Sequence, residues 1–356
     1  MWPDQSILDL FGIRLPIIQA PMAGSVFAEM VIAVSEAGGL GSLPCALLSV
    51  EQARKELETI RQKTSCPIAV NFFCHTPPQV DPDRETRWQK RLHRYYTDLG
   101  LDQNQPVTAP NRTPFDEKMC DVVSEFRPEV VSFHFGLPHE KLLRRVRETG
   151  AKIISSATTT QEARWLEDHG CDAIIAQGYE AGGHRGMFLT KNVSSQPGLM
   201  ALVPQIVDAV KVPAIASGGI ADGRGIAAAF ALGAAAVQIG TAYLFCPEAK
   251  ISPVFREALR TAKDDDTVIT NLITGRPARG IANRLIRDLG AMSDDVPEFP
   301  LAATGLAPLR AISEKAGCGD FSPLWSGQAA RLGRELPAAE LTKRLAAETL
   351  ERLNAL

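Results

Sequence analysis

Residues 172–186 read DAIIAQGYEAGGHRG and join a strand-like run to a glycine-rich turn. The run DAII is short and apolar, which is typical of a strand covered on both faces. The turn holds four glycines together with His184 and Arg185. Glycines let a backbone approach a ligand closely, and an imidazole can transfer a proton near neutral pH. We therefore expect an active-site edge here, with His184 as its main proton-handling residue. The alternative is an exposed loop with a solvated His-Arg pair.

The pattern of a short apolar run followed by a helix-like segment recurs along the chain. Eight such runs occur, at residues 16–20, 39–43, 68–73, 130–135, 152–156, 173–177, 213–217 and 236–240. Strands that alternate with helices form parallel sheets with right-handed crossovers. The chain lacks the GxGxxG signature that opens doubly wound dinucleotide-binding sheets. The sequence therefore predicts a (β/α)8 TIM barrel, because its eight units span about 240 residues against roughly 250 in typical barrels.

Two segments interrupt this alternation. Residues 75–113 are polar and proline-rich, with a helix-like stretch at 87–96, and are too long for an ordinary connection. Beyond the barrel, expected over residues 1–262, we predict a smaller, mostly helical cap over 263–325, joined by the 75–113 insertion. Helices at 326–332 and 338–353 are expected to complete a C-terminal segment, 326–356, that packs back on the barrel.

The bulk composition excludes several classes of partner. A net charge of −3 and a pI of about 6.1 do not favour binding to nucleic acid or to an anionic membrane. The seven cysteines are scattered and form no CxxC pair, which indicates reduced thiols and neither a disulfide framework nor a metal site. No leader-like segment or membrane-length apolar run occurs. We expect a cytoplasmic protein, either a monomer or a homodimer.

The predicted barrel places two glycine-containing strand ends where phosphate often binds. TIM barrels build their active sites from the loops at the carboxyl ends of the strands, with phosphate frequently after strands seven and eight. These two strand ends contain Ser217, Gly218, Gly219, Gln238, Ile239, Gly240 and Thr241. Such glycines let backbone N–H groups converge on an anion. The alternative is that they only permit tight turns.

Further candidates lie at the ends of strands one, three and six. Backbone groups in the segment Ala20, Pro21, Met22 and Ala23 could pair with the edge of a planar heterocycle, or the segment is an ordinary proline turn. Asn71 and Gln177 each follow apolar residues, and a buried amide needs hydrogen-bond partners. Each is either a structural hydrogen-bonding residue or a cofactor ligand.

Among the other histidines, His75 and His134 are rivals to His184 for catalysis. His75 opens the insertion and is expected to face the barrel mouth. His134 ends an apolar strand, and a structural histidine with satisfied nitrogens is the favoured interpretation. His93, His139 and His169 are expected on the solvated surface.

Five motifs carry a resemblance to a known family. They read PIIQAPMAG (16–24), VNFF (70–73), GYEAGGHRG (178–186), ASGGI (216–220) and QIGTAYLF (238–245). With them the chain resembles the nitronate monooxygenases, formerly 2-nitropropane dioxygenases, which are FMN enzymes on a barrel. Arginine after the histidine in GGHRG resembles the bacterial class I branch.

The resemblance implies FMN as cofactor and His184 as the catalytic residue. Met22 and its neighbours would meet the pyrimidine edge of the flavin, while Asn71 and Gln177 would bond its ring or ribityl chain. The ribityl phosphate region would be held by Gly182, Gly183, Ser217, Gly218, Gly219, Gln238, Ile239, Gly240 and Thr241. A nitronate would be oxidised with O2 to a carbonyl compound and nitrite, and propionate 3-nitronate, a toxic compound, is one candidate substrate for such detoxification.

Three other functions stay open at this point. An FMN- and NADH-dependent enoyl-acyl-carrier-protein reductase shares the barrel and a GGH loop, although the arginine of GGHRG and the long cap count against it. A non-catalytic barrel would only bind a phosphorylated ligand. A flavin-free isomerase would need a carboxylate at a strand end, for which Glu180 is the only good candidate.

Overall fold

The computed structural model describes residues 2–103 and 112–355. Within these residues eleven strands occur: β1 Ile17–Gln19, β2 Gly41–Pro44, β3 Ile68–Phe73, β4 Val130–His134, β5 Lys152–Ala157, β6 Ala173–Gln177, β7 Gly183–His184, β8 Ala214–Ser217, β9 Ala236–Ile239, β10 Thr267–Thr270 and β11 Ala278–Ile281. Eight of them pair in parallel in the order β1-β9-β8-β6-β5-β4-β3-β2. The Leu40 carbonyl, which accepts from Gln19 N at 2.9 Å, links β1 to the start of β2. The predicted (β/α)8 barrel is therefore confirmed, and each of its strands overlaps a predicted run.

The helices of the same described part surround the barrel and build the cap. They are α1 Ser6–Phe11, α2 Ala28–Ala37, α3 Val50–Lys63, α4 Pro82–Asp98, α5 Glu117–Phe126, α6 Glu140–Glu148, α7 Thr160–Asp168, α8 Leu199–Ala209, α9 Gly223–Ala231, α10 Pro253–Thr261, α11 Arg284–Leu289, α12 Ala302–Lys315 and α13 Ala338–Ala355, with 3₁₀ helices at Thr241–Phe245 and Ala330–Leu332. No helix among residues 2–103 and 112–355 combines the length and apolar character needed to cross a bilayer.

The side-chain alternation of the strands divides the barrel interior into two layers. The inner, apolar layer contains Ile18, Ala69, Val130, Ile154, Ile175, Ile215 and Ala236, and α1 packs against its closed end through Ile7 and Phe11. Two positions later seven of the eight barrel strands present an inward residue at the mouth: Ala20, Asn71, Ser132, Ser156, Gln177, Ser217 and Gln238. Because successive inward residues are two apart, a polar ring lies directly above an apolar floor.

The cap contains strands as well as helices. β10 and β11 form an antiparallel hairpin, and β11 also pairs with β7, so that Ala278 lies opposite His184. The sequence analysis assigned no strand here, although the TVIT run of β10 is rich in β-branched residues. The helix predicted at 326–332 was wrong in its first half. The backbone N–H of Gly327 bonds Thr241 Oγ1 at 2.9 Å, and that of Gln328 bonds the Glu180 carbonyl at 3.1 Å, so neither makes a helical hydrogen bond.

Two further helices, α4 of the insertion and the C-terminal α13, pack on the cap and on the barrel wall respectively. The insertion helix α4 and the cap share a hydrophobic cluster in which Trp88 and Tyr95 pack with Leu306 and Phe321. Part of the predicted insertion, residues 104–111, lies outside the described residues. The last helix, α13, packs against α2, which follows β1, and α9, which follows β8.

Candidate active site

A cavity of about 320 Å³ lies at the carboxyl ends of the barrel strands, beneath the cap. The structure brings fifteen sequence-predicted residues to its wall: Ala20, Pro21, Met22, Ala23, Asn71, Gln177, Gly182, Gly183, His184, Ser217, Gly218, Gly219, Gln238, Gly240 and Thr241. Ile239 is not among them. Its side chain is 1% exposed and lies in the core between strands and helices, because it points outward from the barrel.

His184 is held by both the barrel and the cap. Its ring Nε2 lies 2.9 Å from Oγ1 of Thr274, in the turn of the β10–β11 hairpin. Thr274 Oγ1 is also 3.4 Å from the Arg276 carbonyl, to which it can only donate. Nε2 of His184 therefore donates to Thr274, and Nδ1 is left as the proton acceptor.

The surroundings of His184 keep its ring neutral. Ring centroids of Phe73, Phe135, Phe299 and Trp325 lie between 5.3 and 6.1 Å from that of the imidazole. Burial lowers the pKa of His184 well below its ordinary value, and the positive charge of Arg112 lowers it further. Smaller contributions come from His134, Arg276 and His75. At neutral pH the group is thus a base ready to accept a proton.

His134 and His75 have different surroundings. His134 Nε2 lies 3.1 Å from the carbonyl of His184, and Nδ1 lies 3.1 Å from Ser156 Oγ. Since a carbonyl only accepts, Nε2 carries the hydrogen and Nδ1 accepts from Ser156. This geometry matches the structural interpretation, although His134 also borders the cavity. His75 does not face the mouth as expected. It is 5% exposed behind Phe299, with ring centroids 4.8 Å apart.

Burial lowers the pKa values of both of these histidines to about 4, with a further contribution from Arg276. Both rings are therefore neutral at pH 7. The three histidines predicted on the surface, His93, His139 and His169, are exposed.

The amides of Gln177 and Asn71 are engaged by neighbouring groups. Gln177 Nε2 donates to the His184 carbonyl at 3.0 Å, and its Oε1 accepts from Gly186 N at 2.7 Å. Asn71 Nδ2 contacts Ser132 Oγ at 3.0 Å. Both side chains also line the cavity. Their structural hydrogen bonds are therefore confirmed, and their role as cofactor ligands stays a prediction.

Arg185 points away from the cavity. Its guanidinium donates to the carbonyls of Gln177 and Gly178, at 2.9 and 2.7 Å, and to Gln196 Oε1 at 2.8 Å. Burial lowers its pKa to about 10, which still leaves it charged at neutral pH. Arg185 therefore holds the glycine-rich turn together from behind, and presents His184 to the cavity.

Glu180 does not supply an acid–base carboxylate to the cavity. Its two carboxylate oxygens accept from Leu199 N, at 3.0 and 2.9 Å, at the start of α8. Among the described residues of the cavity wall, Glu314 carries the one carboxylate, and it is paired with Arg310 at 2.8 Å. The flavin-free isomerase thus loses the candidate on which it depended.

Several wall residues come from the insertion and the cap and were not predicted. They include Arg112, Arg310, Leu324 and Trp325. Thr274 was missed as well. These residues lie far in sequence from the barrel strands, so the alternation of strands and helices does not indicate that they face the site.

Gly182 has no room for a side chain. A Cβ built there would lie 2.4 Å from the backbone N of Gly327 and 2.6 Å from the carbonyl carbon of Ser326. We expect Gly182→Ala to push this cap segment away and to lower the free energy of unfolding by about 2–3 kcal/mol, through lost backbone hydrogen bonds and contacts. Urea unfolding measures the change.

A matched control is Gly225→Ala, inside α9. There a Cβ would meet Ile220 Cγ2 at an ordinary 3.4 Å, and we expect stability to be unchanged or slightly raised. Equal stability of Gly182→Ala and the unchanged protein would contradict the close packing of barrel and cap.

The chain is similar to a known protein family and to several of its members. The family model described as "Nitronate monooxygenase" matches residues 4–348. A nitronate monooxygenase from Pseudomonas aeruginosa is 41% identical over 343 residues, which cover 95% of this chain and 97% of the relative. One from Paraburkholderia phytofirmans is 40% identical, with 97% and 94% covered.

Solved structures show the same similarity. A nitroalkane oxidase from Streptomyces ansochromogenes superposes with a TM-score of 0.88 at 36% identity, covering 99% of this chain and 100% of the other. FabK from Thermotoga maritima superposes with a TM-score of 0.74 at 30% identity, covering 100% and 98%. Because the family match extends over nearly the whole chain, the protein belongs to the nitronate monooxygenase family.

Proposed function

We propose that the protein is an FMN-dependent nitronate monooxygenase that oxidises alkyl nitronates with O2 to a carbonyl compound and nitrite. The family and the similarity to a nitroalkane oxidase support a nitronate-oxidising enzyme. The observation that carries the proposal is a neutral imidazole, His184, on the wall of a polar-ringed cavity at the barrel mouth.

The residues of the cavity fit FMN. Gly218 and Gly219 adopt left-handed backbone conformations, and a Cβ on Gly218 would lie 3.1 Å from Ala181 N, so this strand end leaves bare backbone next to the cavity. Asp222 already caps α9, accepting from Arg224 N at 2.9 Å. The phosphate would therefore rest on the glycine turns and Thr241 and not on an uncapped helix end. The ring edge would meet Ala20–Ala23, and Asn71, Gln177 and Gln238 would offer side-chain hydrogen bonds.

When bound, FMN supplies the redox chemistry, accepting electrons from the nitronate and passing them to O2. The chain's own part is to handle protons and exclude water. Nδ1 of His184 would take the proton from the carbon beside the nitro group of a neutral nitroalkane, leaving the nitronate anion and an imidazolium. Thr274 keeps Nε2 engaged, and the aromatic rings around the imidazole shield it from bulk solvent.

Anaerobic mixing tests the proposal. The protein purified with FMN is mixed with ethyl nitronate or propionate 3-nitronate, and then separately with NADH, while flavin absorbance is followed; O2 is then admitted and nitrite is measured. We expect bleaching by nitronate without NADH, and nitrite release in air. Bleaching by NADH alone, with no response to nitronate, would favour the enoyl reductase. A protein that binds no flavin at all would favour the non-catalytic barrel.

A further inference from the structure

Arg112 is a cation in the cavity wall without a matching anion. It lies just after the part of the insertion that is not described and borders the cavity together with His184. Its Nε is buried and has no hydrogen-bond partner. The guanidinium carbon lies 5.6 Å from the ring centre of Phe299, and the same ring lies 5.3 Å from the imidazole of His184. Arg112 and His184 therefore contact one aromatic ring at the same cavity.

No carboxylate of the described residues neutralises the charge of Arg112. Within residues 2–103 and 112–355, no carboxylate forms an ion pair with it, although eighteen other pairs are formed. The stretch 104–111 reads NQPVTAPN and contains no acidic residue. Burial and the positive charge of Arg310 lower the pKa of Arg112 to about 10, so it remains charged at neutral pH.

Four other arginines of the glycine-rich turn and the cap differ in this respect. Arg185 donates to two carbonyls and an amide oxygen. Arg279 donates to the carbonyls of Tyr179 and Thr267. Arg276 donates to the Met187 carbonyl and stacks on Phe135, and it does not border the cavity. Arg310 borders the cavity but is paired with Glu314. Arg112 is partly buried. An uncompensated charge withdrawn from water is costly, and an incoming anion would offset that cost.

We propose that Arg112 binds the oxyanion end of the substrate, holding the two nitronate oxygens with its planar fork beside His184. A guanidinium matches a planar pair of oxygens in shape, and a charge-assisted hydrogen bond is strengthened where water is excluded. The nitronate identity of this anion rests on the proposed function. The oxyanion site itself does not.

Nitrate, a planar oxyanion that is not a nitroalkane, serves as the probe. Sodium nitrate is titrated by calorimetry into the protein purified with FMN, and into its variants Arg112→Met, Arg112→Lys and Arg54→Met. We expect Arg112→Met to weaken nitrate binding about tenfold or more, and Arg112→Lys to restore part of it, as the loss of a desolvated charge-assisted hydrogen bond predicts. Arg54 is paired with Glu125 far from the cavity wall, so Arg54→Met, which removes the same charge, should bind nitrate unchanged.

Steady-state kinetics with ethyl nitronate separate this inference from the proposed function. We expect the KM of Arg112→Met to rise about tenfold with a smaller change in kcat, because uniform binding is lost. Nitrate binding that depends on Arg112 in a protein that does not oxidise nitronates would keep the oxyanion site and reject the function. Nitrite release with unchanged KM and nitrate affinity in Arg112→Met would keep the function and reject the site. Failure of the unchanged protein to bind nitrate also overturns the inference.

Discussion

Replacing His184 with asparagine will lower turnover of a neutral nitroalkane by about 100- to 10,000-fold, the usual contribution of a general base. Nδ1 of His184 is the proton acceptor once Thr274 has engaged Nε2, and an asparagine amide cannot take its place as a base. The cavity wall otherwise stays intact, so FMN should remain bound. Initial rates of nitrite release with nitroethane, and the flavin absorbance of the purified variant, measure the two effects.

The preformed nitronate is the internal control for this variant. Ethyl nitronate has already lost the proton, so its oxidation should fall much less than that of nitroethane. His93→Asn, on the exposed face of α4, should leave both rates unchanged. If both substrates are oxidised at unchanged rates, His184 is not the base. If both fall equally, it acts in something other than proton removal.

The second large effect concerns stability at acid pH. His75, His134 and His184 all have pKa values below their ordinary 6.5, chiefly because of burial. Below pH 6.5 these histidines bind protons in the unfolded chain but stay neutral in the folded chain. The free energy of unfolding should therefore fall as pH drops from 6.5 toward 4, where His75 and His134 titrate in the folded protein. Each histidine contributes at most about 1.4 kcal/mol per pH unit.

Urea unfolding at several pH values between about 7.5 and 4.5 measures this slope. His75→Asn is the variant of choice, because Nδ1 of His75 has no hydrogen-bond partner and the substitution removes only the hydrogen bond of its ring to the backbone of Arg112. It should reduce the slope by about one proton while the other two histidines continue to titrate. Paired carboxylates such as Glu29 and Glu348, whose pKa values are lowered from 4.5, lose most of their stabilisation below this range. A free energy of unfolding that does not change with pH would contradict the neutral, buried state of the three rings.

The barrel and its polar ring were accessible from sequence for a physical reason. Strands covered on both faces produce short apolar runs, and a polar residue such as Asn71 or Gln177 at the end of such a run needs hydrogen-bond partners, either in the protein or in a ligand. Glycines after the strands indicated the turns, and the histidine in the glycine-rich turn indicated a candidate base. These signals are local, so a single sequence displays them.

The contributions of the cap were not accessible in this way. Thr274 meets His184 only because a hairpin forms some ninety residues later and pairs with β7. Arg112 lies in an insertion without periodicity. The segment 326–332 has the composition of a helix, but hydrogen bonds to Glu180 and Thr241 hold its first residues in another conformation. Tertiary contacts determine the positions of these residues, and local sequence propensity cannot predict such contacts.

The pairing of β7 with the hairpin has a consequence for how substrate enters. The strand that carries the imidazole, β7, is hydrogen-bonded to the cap hairpin as well as being connected to the barrel. A rigid movement of the cap away from the barrel would break the pairing of β7 with β11 and separate His184 from Thr274. We therefore expect substrate and product to pass through small rearrangements at the cavity entrance, while the cap hairpin stays paired with β7 during turnover.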